Sequence, residues 1–188
     1  MHRHFIMHKP VGFVSQFVNN KTRKKRLLSE LFDFPIGTMA IGRLDVKSEG
    51  LLLLTTDGKL SHTVCSSKVD KEYYVQVDGV ITDISLSQLK KGVAISVKGE
   101  SYTTRPSKAF KLDDIPKFEA PTFKIRDDRH GPTSWISITI NEGKYRQVRK
   151  MTAAVGFPTL RLVRVRIGNI TLNDLRSGDV IETPCLNY

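Results

Sequence analysis

Tyr73, Val75 and Val77 alternate with Tyr74, Gln76 and Asp78, the two-residue period of a strand with one buried face. Ile136, Ile138 and Ile140 repeat that alternation against Trp135, Ser137 and Thr139. Two-faced strands of this kind pair antiparallel. Between them, Asp83 to Lys90 predicts a short helix with Asp83 as its N-cap and Gly92 as its stop, followed by short strands through Phe110. A second helix is predicted from Lys144 to Val155, because Val148, Met151, Thr152 and Val155 recur at helical spacing and Gly156 with Pro158 ends the run. The strand predicted next, Leu160 to Ile167, has Leu160 and Leu162 in one phase but Val163, Val165 and Ile167 in the other. Either a bulge or burial on both faces accounts for that. Leu112 to Pro132 is polar and rich in Pro, Asp and Lys, and reads as a long surface loop. The fold class expected is α+β, with a mixed, mainly antiparallel sheet and flanking helices. Residues 1–188 read as one continuous unit, open to a division into two lobes that share the sheet.

With 188 residues the chain can bury a real core, and 39% hydrophobic with 26% charged residues describes an ordinary globular protein. Charge changes the picture more: 30 Lys and Arg against 19 Asp and Glu give +11, which makes a polyanion the first partner to consider. The basic residues cluster. Five of the six residues from Lys21 to Arg26 are basic, and Gly143 to Asn173 carries seven Lys or Arg with no acidic residue. No apolar run approaches the roughly 18 residues of a membrane span, so a cytoplasmic protein that meets nucleic acid is expected, with Arg161 and Arg166 on the surface that holds it. Tyr74, Trp135 and Phe123 are candidate stackers for unpaired bases.

Other chemistries find no support. Cys65 and Cys185 form no CxxC pair, and the five histidines (His2, His4, His8, His62, His130) have no ligand spacing. Asp127 and Asp128 are adjacent and would diverge, and there is no GxSxG or phosphate-loop sequence. No metal is therefore expected. A DNA-binding regulator would need a helix-turn-helix or a dimerising heptad, and neither is visible.

The densest local signal is Ile41 to Gly58, in which a charged loop between Gly42 and Gly50 runs into the four leucines Leu51 to Leu54. Asp45 lies in that loop, two residues after Arg43. By itself this reads as a turn whose Asp caps a backbone amide and whose Arg is solvated. The sequence GRLDxxSEGLLLLTxDG, however, resembles the central motif of the pseudouridine synthases of the small-subunit and large-subunit rRNA type. His8 to Gly12 is similar to that family's KPxG element, Lys71 to Val75 to its KxYxV strand, and Glu142 to Met151 to its EGxxxQVRxM element. Leu162-Val163-Arg164 with Ile167-Gly168 is similar to its closing LxR...IG piece. These elements occur in the family's order. Pro132 to Trp135 and Val155 to Leu162 look most like a branch that acts on large-subunit rRNA.

The resemblance implies an isomerase that detaches uracil from ribose C1′, turns it, and rejoins it through carbon 5, without metal or cofactor. It implies that Asp45 is the catalytic carboxylate, attacking C1′ or acting through a glycal-type route, with Arg149 as its partner. Tyr73 is implied to stack on the base and move a proton. Arg43 fills space when the nucleotide is extracted or contacts phosphate, Leu162 packs beneath the base, and Lys9, Lys71, Arg146 and Arg164 complete the substrate-binding set. Ser48, Thr56 and Lys150 depart from the commoner Thr, Asn and Arg. Many relatives carry an N-terminal RNA-binding domain of the ribosomal S4 type; with the KPxG element at Lys9, none is expected here. A monomer acting on ribosomal RNA is expected; the competing reading is a catalytically silent RNA-binding or ribosome-assembly module.

Overall fold

The computed structural model describes residues 2–19, 25–66, 69–121, 123–125 and 128–188. In chain order the elements are β1 (His4–Lys9), β2 (Met39–Ile41), β3 (Glu49–Thr55), α1 (Gly58–Ser66), β4 (Lys71–Asp78) and α2 (Asp83–Lys91). These are followed by β5 (Ala94–Val97), β6 (Glu100–Thr103), β7 (Lys108–Lys111), β8 (Thr133–Ile140), α3 (Gln147–Ala154), β9 (Thr159–Ile167), β10 (Ile170–Thr171) and β11 (Val180–Thr183). The chain forms two compact units. The first holds residues up to Val69 together with Val163–Tyr188, and the second holds Asp70–Leu162.

In the first unit β3 is the central strand. β1 pairs antiparallel along one of its edges, from Gly50 to Thr55, and β11 pairs antiparallel with β1. The other edge of β3 is shared: β2 pairs antiparallel with Leu53 to Thr55, and β9 pairs parallel at Glu49 and Gly50. With both edges occupied, all seven residues of β3 are buried. That is why its leucines run without a polar alternate. Phe5, Met7, Leu28, Leu52 and Leu54 form the core on one face, backed by Phe17, Leu31 and Phe34. Phe34 meets Phe5 edge-on at 5.3 Å, and each fully buried Leu or Phe contributes about 2 kcal/mol.

In the second unit β4 and β8 pair antiparallel over eight residues, Lys71 to Ile140 through Asp78 to Thr133, and β7 pairs with the other edge of β8. The alternation predicted for Tyr73, Val75 and Val77 is present in β4. In β8 the alternate residues Trp135, Ser137 and Thr139 are buried as well, because the strand is central and covered on both faces. Ser137 keeps its hydroxyl satisfied by donating to Glu72 Oε1 at 2.8 Å. β5 and β6 form a separate hairpin.

Three boundaries differ from the sequence expectation. The N-cap of α2 is Thr82, whose hydroxyl accepts from Ser85 N at 3.2 Å, while Asp83 occupies the first turn, where the helix dipole favours its charge. α3 starts at Gln147, because Arg146 adopts a left-handed φ of 54° that no α-helix can include. Tyr145 therefore precedes the helix that carries Arg149. In β9, Arg161 to Arg164 are all buried, so burial on both faces accounts for its mixed phase. Within Leu112 to Pro132 the described residues contain no strand, only a 3-10 turn at Asp128–His130. Lys21 to Lys24 and Asp127 lie outside the described residues.

Candidate active site

Asp45 sits half-buried in the loop between β2 and β3, and the residues on either side of it are tied to the segment from Gly12 to Ser15. Before it, Ser15 Oγ bridges both backbone groups of Leu44, accepting from its N–H and donating to its carbonyl, each at 3.0 Å. After it, Gly12 N donates to Val46 O at 2.7 Å, and Ser48 N closes the turn on Asp45 O at 3.0 Å. A carboxylate whose two neighbours are clamped to one segment is presented rather than left to wander. Arg43, by contrast, is exposed.

The clamping segment is held from inside. Lys9 is 0% exposed, and its ammonium donates to Pro10 O at 2.7 Å and Phe13 O at 2.8 Å, closing the turn that carries Gly12. Burial pulls the Lys9 ammonium down to about 7; the carboxylates of Glu49 and Asp45 oppose the shift, and the Arg164 guanidinium adds to it. Arg164 is equally enclosed: Nε donates to Leu51 O at 2.7 Å, and Nη2 is buried with no hydrogen-bond partner among the described residues. Gly50 lets this happen. A Cβ there would lie 2.3 Å from Arg164 O, and its φ is +106°. Lys9, Glu49, Asp45 and Arg164 thus form one electrostatic group in the first unit, with Lys9 and Arg164 enclosed in it, although the sequence reading had them contacting substrate.

The second unit carries the remaining motif residues. Tyr73 is buried at 8% exposure in β4, one turn of pleat from half-buried Lys71 at the strand's start. Leu162, at 5% exposure, is buried in the part of β9 that belongs to this unit. Arg149 lies half-buried on α3, whose core face is Val148, Met151 and Thr152, and its Nη1 donates to Thr159 O at 3.3 Å. Arg146, half-buried, caps that helix in its left-handed conformation.

Several expected RNA contacts take other places. Arg161 is buried at 7% exposure, donates to Glu119 O at 2.9 Å and lies 5.4 Å from the Phe118 ring, so it is removed from the expected RNA-holding surface. Arg166 is half-buried with Nη1 on Gly168 O. Tyr74 and Trp135 both pack against Phe118, at 6.3 and 5.9 Å, and Phe123 is half-buried. Sequence reasoning missed Ser15 and Glu142. Glu142 accepts from Tyr102 Oη, from Arg105 N at 2.9 Å and from Gln147 Nε2 at 2.6 Å. Nothing in the spacing of Ser15 marks it, whereas Glu142 stands in a quoted motif. Among the described residues no helix is long and apolar enough to cross a membrane, and no group of His, Cys, Asp or Glu could hold a metal.

The family described as RNA pseudouridylate synthase matches residues 3–154. A ribosomal large subunit pseudouridine synthase E of Xanthomonas axonopodis pv. citri is 43% identical over 172 residues, covering 90% of this chain and 88% of that protein. Another so named, of Vibrio parahaemolyticus, is 44% identical over 177 residues, covering 92% of this chain and 70% of that protein. Among solved structures, the crystal structure of a pseudouridylate synthase superposes with a TM-score of 0.77 at 29% identity, over 97% of this chain and 70% of that one. The match takes in the Asp45 loop, Tyr73 and Arg149, and the chain belongs to the RNA pseudouridylate synthase family.

Proposed function

We propose that this protein converts a uridine of large-subunit ribosomal RNA to pseudouridine, with Asp45 as the catalytic carboxylate. The observation that carries the reading is the double anchoring of the Asp45 loop through Ser15 and Gly12, since a carboxylate that must meet one sugar carbon needs a fixed position. The relatives named for the large subunit support the choice of RNA. In the reaction the N1–C1′ bond breaks, uracil turns, a C5–C1′ bond forms, and the hydrogen on C5 leaves as a proton while N1 regains one. Atoms balance without an external reagent. Asp45 serves either by attacking C1′ or by acting on the sugar in a glycal-type route; an amide at that position does neither.

Tyr73 stacks on the base and handles the C5 proton, Arg149 supports the reaction as a cation, and Leu162 packs under the base; each rests on its motif. Arg43, exposed beside Asp45, meets the RNA backbone or the space left by the extracted nucleotide. Lys71 and Arg146 contact phosphate, whereas Lys9 and Arg164 act from within by holding the Asp45 loop and its strand. The protein works in the cytoplasm as a monomer.

The test is tritium release from unmodified large-subunit rRNA labelled at uridine carbon 5. Wild-type protein should release tritium, and Asp45→Asn should release none while its RNA affinity holds or rises, since one negative charge is lost near phosphate. Tight binding without release by the wild type would leave a silent RNA-binding module.

A further inference from the structure

The segment between β8 and α3 is exposed, yet it is built as tightly as a core. Glu142 gathers three donors: the Tyr102 hydroxyl from β6, the Arg105 amide from the loop between β6 and β7, and the Gln147 side chain from α3. Burial pushes the Glu142 carboxyl up, but these hydrogen bonds outweigh it and hold the group below its ordinary value, so the hub stays charged in mild acid. Gln147 passes the constraint on, accepting from Lys144 N at 2.9 Å while its own N–H donates to Lys144 O at 3.1 Å. Arg146 is thereby kept in a left-handed conformation that is strained for a non-glycine residue.

A surface turn needs no such fixing for solubility. What it displays is Tyr145, 70% exposed. The ring is backed by the Lys150 ammonium, 5.3 Å from its centroid, which is itself anchored on Ser96 O. Lys144 is exposed, with its ammonium 4.7 Å from the Tyr102 ring. An open aromatic face beside lysines on a rigid turn has the composition of a stacking platform for single-stranded nucleic acid. Tyr74 and Trp135, the aromatics that sequence alone would nominate, pack against Phe118 instead.

We infer that the turn from Glu142 to Gln147 is a preformed RNA contact, on which the Tyr145 ring stacks against an unpaired base and Lys144 meets the adjoining phosphate. The inference rests on the isomerase reading for its choice of RNA, and it adds a binding residue, Tyr145, and a positioning residue, Glu142. The turn grips a base other than the uridine undergoing reaction, so it governs KM rather than kcat.

Binding of the full chain to a short unmodified single-stranded RNA and to the same oligomer made abasic separates stacking from charge. Tyr145→Ala should weaken binding of the first about tenfold, leave the abasic oligomer unaffected, and raise KM for rRNA at unchanged kcat; Tyr145→Phe should behave as wild type. Tyr145→Trp should show fluorescence quenching on adding the RNA, read against the Trp135 background. Lys144→Ala should flatten the salt dependence by about one ion. Glu142→Ala should reproduce the Tyr145→Ala loss, and the double variant should be little weaker than either. Equal loss on both oligomers, or no loss with Tyr145→Ala and no quenching with Tyr145→Trp, overturns the stacking. Additive losses remove Glu142 from the positioning role. Failure of the wild type to release tritium would sink the isomerase reading on separate grounds.

Discussion

Lys9→Met should abolish a component of the protein's pH-dependent stability. Unfolded, Lys9 holds its proton up to about 10.5; folded and stripped of water, it holds it only to about 7. Between those values the unfolded chain binds more protons than the native one, so Lys9 makes stability rise with pH. The gap, at about 1.4 kcal/mol for each tenfold, means that keeping Lys9 charged costs the native state roughly 5 kcal/mol well below pH 7. Of this, roughly 2 kcal/mol is recovered between pH 7 and about pH 9. Methionine fills a similar volume and cannot titrate, although it leaves Pro10 O and Phe13 O without the donor they have in the wild type. Urea unfolding of both proteins at a series of pH values, followed by circular dichroism, supplies the two stability curves. The wild type should gain about 2 kcal/mol on the variant over that interval, a difference from which all other titrating groups cancel. Curves that stay parallel to within about 0.5 kcal/mol would show that Lys9 keeps an ordinary proton affinity and that its burial carries no such cost.

Ser15→Ala removes both bonds to Leu44 and should cost about 1–3 kcal/mol for the backbone groups left bare; in tritium release it should lower kcat more than it raises KM, and an unchanged kcat would detach Ser15 from the placement of Asp45. Gly50→Ala drives a methyl into the Arg164 carbonyl at a positive φ, so a destabilisation of roughly 3 kcal/mol or more is expected, and a melting temperature equal to that of the wild type would contradict the close approach of β3 and β9. Arg149→Ala should reduce turnover at least tenfold with little change in RNA affinity; normal turnover would take it out of the reaction. Arg161→Ala should destabilise the fold while leaving the salt dependence of RNA binding intact, because its guanidinium is enclosed against Phe118 and Glu119; a flattened salt slope would return it to the RNA surface.

The elements were legible wherever a single period governed them. β4 alternates because only one of its faces is deeply buried, and α3 declares its core through Val148, Met151 and Thr152. The start of α3 was not legible, because the left-handed turn at Arg146 is imposed by Glu142 and Gln147, and helix propensity has no knowledge of a hub assembled from β6 and α3. For the site, the motif pointed to Asp45, but not to what fixes it. Ser15 is thirty positions away in sequence and carries no pattern of its own. The charge map misled in the opposite direction: Arg161 and Arg164 belong to an acid-free basic run, yet both are buried and bonded to carbonyls, since a strand covered on both faces encloses its cations as readily as its leucines.

The second unit is one uninterrupted stretch of chain, whereas the first is completed only by residues from Val163 onward. Its sheet pairs His4 with Thr183 and Met7 with Val180, some of the most distant partners the chain contains. During synthesis the middle of the protein is therefore free to fold before the first unit can close its sheet, and β1 and β3 must wait for β9 and β11. Pairings of such long range make for slow folding. Until they form, β3 lacks β9 beside Glu49 and Gly50 and β1 lacks β11 along its outer edge, so the nascent chain keeps a bare strand edge for the longest time.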